Sequence, residues 1–192
     1  MIRRAIDRRF GTHRGLVRLA LSYAESLTPD GRRYLAPAFD RVRRVVFVCQ
    51  GNICRSAYAD AYARPSGLPI ASCGLMTTTG LPANETALAI AGARGVDLDS
   101  HRTTRIEDLE SVEGDLYVAM EFRQARQLDR ILEARGLRPG LDTWITLLGS
   151  WGRPPRPHIH DPHTLSGEYF ETCLDVVQRS TDGLIDRLKR SA

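Results

Sequence analysis

Residues 45–56, VVFVCQGNICRS, decide how this chain can fold, because an apolar run stops abruptly at a short loop of reactive side chains. Val45 to Val48 are consecutive apolar residues, a pattern typical of a strand buried on both faces of a parallel sheet. Cys49 ends the run, and Arg55 opens a segment, RSAYADAYAR, that favours a helix. The stretch therefore predicts a strand, a tight loop and a helix, with a thiol at one end of the loop and a guanidinium at the other.

The rest of the chain repeats this alternation of strands and helices. Further strands are predicted at 68–74, 115–120 and 144–149, and helices at 84–95, 105–112, 121–136 and about 167–189. Strands separated by helices pair in parallel and need cover on both sides. The sequence thus predicts an α/β fold, with a three-layer open parallel four-stranded sheet and helices on both faces.

The composition points to an ordinary globular protein. The 192 residues are 42% hydrophobic and 26% charged, which suits one domain with an appendage. Four cysteines, at 49, 54, 73 and 173, show neither a CxxC pair nor zinc-site spacing. We therefore expect a reducing, cytoplasmic setting and no metal or other cofactor.

The positive charge is concentrated at the N-terminus. Residues 1–44 hold eleven arginines and four acidic residues, a net charge of +7, so the remaining residues carry −3. The charge of the remaining residues thus gives no indication of nucleic-acid binding. We predict two parts in the chain, a basic helical N-terminal extension at 1–43 and a catalytic domain at 44–192. Apolar spacing in the extension predicts a helix over 14–27.

The loop after the first predicted strand contains the groups that an oxyanion-binding site needs. In parallel sheets ligands lie at the carboxyl ends of strands, where Cys49 falls. The loop comprises Gln50, Gly51, Asn52, Ile53 and Cys54, and we expect Gly51 to supply its backbone turn. Backbone N–H groups beside a helix N-terminus bind anions and favour a thiolate, and an arginine fork holds two phosphate oxygens. The alternative is that Cys49 is a packing residue.

These residues also resemble a known family. VCQGNICRS is similar to the C-x-G-N-x-C-R-S signature of the low-molecular-weight protein tyrosine phosphatases, and the likeness extends over about residues 44–190. SCGL, GLPAN, DSHRTTRI, LYVAMEFRQARQL and LLGSW follow in family order, and HDPH at 160–163 stands where the family keeps an Asp-Pro.

The resemblance implies a role for each matching residue. Cys49 resembles the nucleophile, Arg55 the phosphate clamp and Asp161 the general acid and base. Ser56 resembles the hydroxyl that stabilises the thiolate, and Asn52 the residue that shapes the loop. Cys54 resembles a cysteine that can pair reversibly with the nucleophile, although it could equally be a small buried residue. The implied reaction is hydrolysis of phosphate monoesters, chiefly protein phosphotyrosine, without a metal.

The expected pocket wall departs from the family pattern. His163 and Thr164 stand where tyrosine-specific members usually place one or two tyrosines, and Met76 and Thr77 lie where another aromatic residue is expected. This leaves two alternatives: a phosphatase for a non-tyrosine phosphoester, and a phosphate-recognising pseudoenzyme. Ile53 resembles the tyrosine phosphatase branch, since phosphoarginine phosphatases carry threonine there.

The resemblance also suggests partners. It implies a phosphorylated protein substrate, such as a bacterial tyrosine kinase, while the oligomeric state is left open. The extension could pack on the body, contact a membrane surface or acidic partner, or mediate dimerisation. A metal site at His158, His160 and His163 is not favoured, because matching ligands are missing elsewhere in the sequence.

Overall fold

A four-stranded parallel sheet forms the centre of the molecule, as a computed structural model describing residues 2–191 shows. The strands are β1 (Arg44–Cys49), β2 (Ile70–Gly74), β3 (Asp115–Ala119) and β4 (Trp144–Leu147). They lie in the order β2-β1-β3-β4, so β1 occupies an inner position between β2 and β3. The predicted α/β fold is confirmed.

Seven α-helices accompany the sheet in the described residues. They are α1 (Ile2–Phe10), α2 (His13–Ser26), α3 (Pro29–Arg32), α4 (Arg55–Ala63), α5 (Glu85–Ala93), α6 (Phe122–Ala134) and α7 (Gly167–Lys189). Helices α4, α5 and α7 pack on one face of the sheet and α6 on the other. None of the helices in this part of the chain has the length and apolar character that a membrane crossing needs.

Strand β1 is buried on both sides, which explains its unbroken apolar sequence. Val45 and Phe47 face the layer of α4 and α7, whereas Val46 and Val48 face α6. Side chains alternate along a strand, so a strand with both faces covered needs apolar residues at every position. The central position of β1 carries Cys49 into the middle of the carboxyl edge of the sheet.

One local prediction was wrong, and one helix was not predicted. Residues 105–112 form only a single 3₁₀ turn, Ile106–Asp108, rather than a helix, and helix α1 was not anticipated. Helix α1 carries arginine at four of its nine positions and has no buried residue. Ile2, Ala5, Ile6 and Phe10 nevertheless fall at helical spacing, so the sequence did carry the apolar stripe on which helix prediction depends.

The N-terminal extension packs on the body through residues 33–34, near its end. Tyr34 is buried in the apolar layer beside α6, and its hydroxyl, like the Arg33 guanidinium, donates to the carboxylate of Asp129. The Thr146 hydroxyl donates to the Tyr34 carbonyl at 2.7 Å. Burial, followed by the hydrogen bond to Asp129, raises the pKa of Tyr34. The extension thus completes the core of the body instead of lying loosely on its surface.

We predict that Tyr34→Ala lowers the free energy of unfolding by about 3–5 kcal/mol, the usual cost of removing a buried aromatic ring. Denaturant unfolding measures the effect. Leu27→Ala is the matched control, because Leu27 is 70% exposed and its removal should change stability by about 0.5 kcal/mol or less. Equal effects of the two substitutions would show that the extension is not part of the core.

Candidate active site

Cys49 lies at the carboxyl end of β1, and the following loop leads directly into α4, which begins at Arg55. A cavity of about 260 Å³ opens above this loop. Its lining residues are Cys49, Gln50, Gly51, Ile53, Cys54, Arg55, Met76, Asp161 and His163. The structure therefore brings the predicted nucleophile, the predicted phosphate clamp and the predicted general acid to one pocket.

The Cys49 thiol has two polar neighbours at the base of the loop. The Asn52 backbone N–H donates to its Sγ at 3.2 Å, and the Ser56 hydroxyl lies 3.0 Å from the same atom. Both groups can donate a hydrogen bond to a sulfur anion, and hydrogen bonds to the charged form favour that form. This arrangement suits a cysteine that reacts as a thiolate.

Asn52 holds the loop in shape. Its backbone φ is +53°, a left-handed conformation that asparagine tolerates better than most residues. Its side-chain NH₂ donates to the hydroxyls of Ser56 and Ser72 at 2.9 and 3.1 Å, and its side-chain oxygen accepts from the Thr104 N–H at 2.9 Å. The sequence placed the backbone turn at Gly51, but Asn52, not Gly51, has the positive φ.

A second layer of polar groups supports Asn52. The Ser72 hydroxyl donates to Asp60 at 2.7 Å, and the Asp60 carboxylate pairs with Arg64 at 2.9 Å. The His101 Nε2 lies 2.7 Å from the Asn52 carbonyl oxygen. These groups come from β2, α4 and the segment before β3, so several separate parts of the chain fix the loop.

Arg55 is a buried charge with defined partners. Its side chain is only 2% exposed, its Nη1–H donates to the Ile159 carbonyl at 2.9 Å, and its Nη2 lies 2.7 Å from the Asp161 carboxylate. Burial by itself would lower the pKa of Arg55 and is the largest single influence, but the negative charge of Asp161 and those of other nearby groups together outweigh it, so the net shift is upward. The guanidinium is thus held firmly in its charged form.

Asp161 lies at the mouth of the pocket, with 43% of its side chain exposed. Its second carboxylate oxygen accepts from the His163 N–H at 3.2 Å. The preceding Ile159 is fixed from both sides, since its N–H donates to the Met120 carbonyl at 3.0 Å while its own carbonyl binds Arg55. The segment 158–161 is therefore held in space beside the carboxyl end of β3.

His158 and His160 lie on either side of Ile159 and contact each other. The His158 Nε2 is 3.4 Å from the His160 Nδ1, and the His158 Nδ1 is 3.4 Å from the Glu121 carboxylate. Burial lowers the pKa of His158 to about 4, although Glu121 opposes the shift. Burial, followed by the charges of Arg55 and Arg18, also lowers the pKa of His160. Both rings are thus neutral near pH 7.

The rim of the pocket differs in part from the prediction. Met76, which is 74% exposed, and His163 line the cavity, whereas Thr77 and Thr164 are not among its lining residues. Thr77 turns back toward Gly74, where an added Cβ would lie 2.8 Å from the Thr77 methyl group. Thr164 has a left-handed backbone, with φ of +64°, in the turn after Asp161. Thr77 and Thr164 therefore do not line this cavity, and their place in the substrate wall stays a prediction.

All four cysteines are free and buried. Burial, reinforced by Cys49, raises the pKa of Cys54, and burial raises the pKa of Cys173 to about 12. These two thiols are thus poor nucleophiles compared with a cysteine that receives hydrogen bonds at sulfur. Within residues 2–191, no cluster of three or more histidine, cysteine or acidic side chains is arranged to hold a metal ion.

The comparison with known proteins agrees with this geometry. A family model described as low molecular weight phosphotyrosine protein phosphatase matches residues 44–192. The chain belongs to this family. It is 32% identical, over 141 residues, to the low molecular weight protein-tyrosine-phosphatase Wzb of Salmonella typhimurium, covering 71% of this chain and 88% of Wzb.

Two further family members are similar over nearly their whole length. The probable low molecular weight protein-tyrosine-phosphatase EpsP of Ralstonia nicotianae is 27% identical over 150 residues, covering 77% of this chain and 97% of EpsP. The crystal structure of the tyrosine phosphatase AmsI of Erwinia amylovora superposes with a TM-score of 0.62 at 28% identity, covering 76% of this chain and 93% of AmsI.

Sequence reasoning missed the residues that support the site. Ser72, His101, Thr104 and Ile159 contact the loop or Arg55, but Thr104 and Ile159 do so through backbone groups, which leave no trace in side-chain identity. Ser72 could have been found, because a serine at an inward position of an otherwise apolar strand needs a hydrogen-bond partner.

We predict that Asn52→Ala lowers the free energy of unfolding by about 2–4 kcal/mol, because three side-chain hydrogen bonds are lost, two of them buried, and alanine resists positive φ. It should also weaken vanadate binding, which titration calorimetry measures. Asn84→Ala is the matched control, since Asn84 caps α5 and its loss should cost about 1 kcal/mol with vanadate affinity unchanged. Unaltered vanadate affinity in Asn52→Ala would contradict the role given to Asn52.

We predict that His158 makes the fold sensitive to acid. Between its ordinary pKa of 6.5 and the folded-state value of about 4, the unfolded chain binds a proton that the folded chain does not. Stability is thus highest above pH 6.5 and falls as the pH drops toward 4, by about 3 kcal/mol in total.

Denaturant unfolding across this pH range checks the prediction. His158→Gln should reduce the loss of stability between pH 6.5 and 4 and leave the part that comes from His160, whereas the exposed control His13→Gln should retain the full loss. Identical profiles for the two variants would rule out His158 as the source of the acid sensitivity.

Proposed function

We propose that this enzyme hydrolyses phosphotyrosine in proteins through a phosphocysteine intermediate on Cys49, with Asp161 as general acid and base. The observation that supports it most strongly is that the Cys49 thiol, which accepts from the Asn52 N–H, and the Arg55–Asp161 pair lie at one pocket. A nucleophile, an oxyanion clamp and a proton donor are the groups that phosphoryl transfer requires.

In the first step, the Cys49 thiolate attacks phosphorus in line with the tyrosine oxygen. A sulfur–phosphorus bond forms while the phosphorus–oxygen ester bond breaks, and Asp161 gives its proton to the departing phenolate oxygen. The exposure of Asp161 at the mouth of the pocket suits this role, since the leaving group lies on the solvent side of the phosphorus.

In the second step, water attacks the phosphocysteine. Asp161, now a carboxylate, accepts a proton from the water while the sulfur–phosphorus bond breaks and inorganic phosphate forms. Ser56 donates to the departing thiolate, because its hydroxyl lies 3.0 Å from Sγ. The nucleophile and the acid then return to their initial protonation states.

Arg55 stabilises the equatorial phosphate oxygens in both steps. Its Nε–H is buried and has no hydrogen-bond partner among the described residues, although both terminal nitrogens contact the 159–161 segment. An unpartnered buried donor is costly unless a ligand satisfies it. The unpartnered Nε–H of Arg55 therefore supports the proposal that this group donates to a phosphate oxygen.

The proposed substrate is a phosphorylated protein. The family description names phosphotyrosine, and the relatives Wzb and EpsP are named protein-tyrosine-phosphatases. A bacterial tyrosine kinase as the particular substrate, and contact of the extension with a membrane or an acidic partner, remain predictions from the sequence.

The test is phosphate release from a phosphotyrosine peptide, in reductant and EDTA. The wild type should turn over, Cys49→Ser should show only background, and Asp161→Asn should be slower by about 10²–10⁴-fold, the usual contribution of a general acid. Cys73→Ser is the matched control, because Cys73 lies in β2 outside the pocket lining and should keep its activity.

Two outcomes would contradict this proposal. Wild-type turnover that survives in Cys49→Ser would exclude the cysteine mechanism. Binding of phosphotyrosine peptide without turnover would favour the pseudoenzyme, and turnover confined to alkyl phosphates would favour a non-tyrosine phosphoester. The exposed Met76 and His163 at the rim, where neither residue is a tyrosine, are the features that make the last comparison informative.

A further inference from the structure

The N-terminal extension, which lies outside the residues matched by the family model, contacts the segment that leads to Asp161. The Thr12 hydroxyl is 3.3 Å from the His160 Nε2, in the residue just before Asp161. The Thr12 oxygen already accepts from the Gly15 N–H at 3.0 Å as the cap of α2. Its own proton is therefore available to donate to the histidine.

The start of α2 fits closely around His160. A Cβ added at Gly11 would lie 2.9 Å from the His160 Cδ2, and one added at Gly15 would lie 3.0 Å from the same atom. Gly11 also has φ of +78°, a conformation that side chains rarely adopt. The two glycines thus allow the extension backbone to approach the ring closely, which supports a specific contact.

A second contact from α2 completes a ring of polar groups. The Arg18 guanidinium lies 3.7 Å from the Glu121 carboxylate, which is also the partner of the His158 Nδ1. With both histidines neutral and protonated at Nδ1, Thr12 donates to His160, His160 to His158 and His158 to Glu121. These contacts run from Thr12, the cap of α2, through the two histidines and Glu121 to Arg18 of α2.

The start of the same loop is also held by the extension. The Tyr23 hydroxyl donates to the Pro155 carbonyl at 2.5 Å, and Arg156 donates to the Arg9 carbonyl at 3.0 Å. The Arg156 guanidinium also lies 5.3 Å from the centre of the Phe10 ring. Residues 9–23 therefore contact the loop 151–166, which carries Asp161 and is called the Asp161 loop below, at 155, 156 and 160.

We propose that residues 9–23 of the extension position the Asp161 loop for proton transfer, with Thr12 and Arg18 as positioning residues. This inference rests on the proposed role of Asp161 as general acid. Thr12 and Arg18 act through His160, His158 and Glu121, and neither is a catalytic residue. The extension thus contributes to the phosphatase site by holding the loop that carries Asp161.

The proposal predicts a specific kinetic signature. A general acid matters most when the leaving oxygen is strongly basic, and least when the leaving group is stable as an anion. A displaced Asp161 should therefore slow hydrolysis of phenyl phosphate and spare dinitrophenyl phosphate. A general loss of structure would slow both substrates alike.

The experiment measures kcat/KM for these two substrates with Thr12→Val and Arg18→Ala in the full chain. We expect a loss of roughly 10-fold on phenyl phosphate and less than about 2-fold on dinitrophenyl phosphate, since small misplacements of a catalytic group can cost up to about 10²-fold. Thr12→Ser keeps the hydroxyl and should behave as wild type, and so should Val17→Ala, at an exposed position of α2.

Asp161→Asn separates this inference from the proposed function. If Asp161→Asn shows the leaving-group effect and neither Thr12→Val nor Arg18→Ala does, the extension does not position the loop and the inference is wrong. If Asp161→Asn itself lacks the effect, the general-acid assignment is wrong and the inference falls with it. Arg18→Ala keeps the test decisive should Thr12→Val fail to fold, because Arg18 is half exposed and caps no helix.

Discussion

The active site depends on one buried amide, the side chain of Asn52. The loop between β1 and α4 must turn the Asn52 N–H toward the Cys49 sulfur, and this requires a left-handed residue that few side chains tolerate. Hydrogen bonds to Ser56, Ser72 and Thr104 hold Asn52 in that conformation. A helix, a neighbouring strand and a distant loop therefore meet at one residue, and the loop cannot change shape without breaking contacts in all of them.

The buried charge of Arg55 imposes the second constraint. A guanidinium that is 2% exposed needs an anion and hydrogen-bond acceptors, and the segment 159–161 supplies both through the Ile159 carbonyl and the Asp161 carboxylate. The backbone bond from Ile159 to Met120 ties this segment to the end of β3. The residue that clamps phosphate in the proposed mechanism therefore also fixes the location of the proposed acid.

The polar side chains of the extension bind the body of the same chain. Its arginines and tyrosines contact carboxylates and carbonyls of the body, including Glu121, Asp129 and Glu168. This pairing follows from the charge distribution, because the N-terminal residues are strongly basic and the remainder is slightly acidic. Tyr34 adds apolar burial, which is less sensitive to salt than the ion pairs.

The sequence by itself determined the elements whose signals are local. The apolar run of β1, the six-residue interval from Cys49 to Arg55 and the capped helix α7 all follow from neighbouring residues, and with them the fold class and the base of the site. Only the tertiary structure decided which distant groups meet there: Ile159 lies 104 residues after Arg55, and Thr12 lies 148 residues before His160. It also decided that Met76 rather than Thr77 lines the pocket, and that Asn52 rather than Gly51 takes the left-handed turn. Such choices depend on how separate elements pack, because the partner of a backbone carbonyl and the choice between two residues that both permit a turn are set by the surrounding structure.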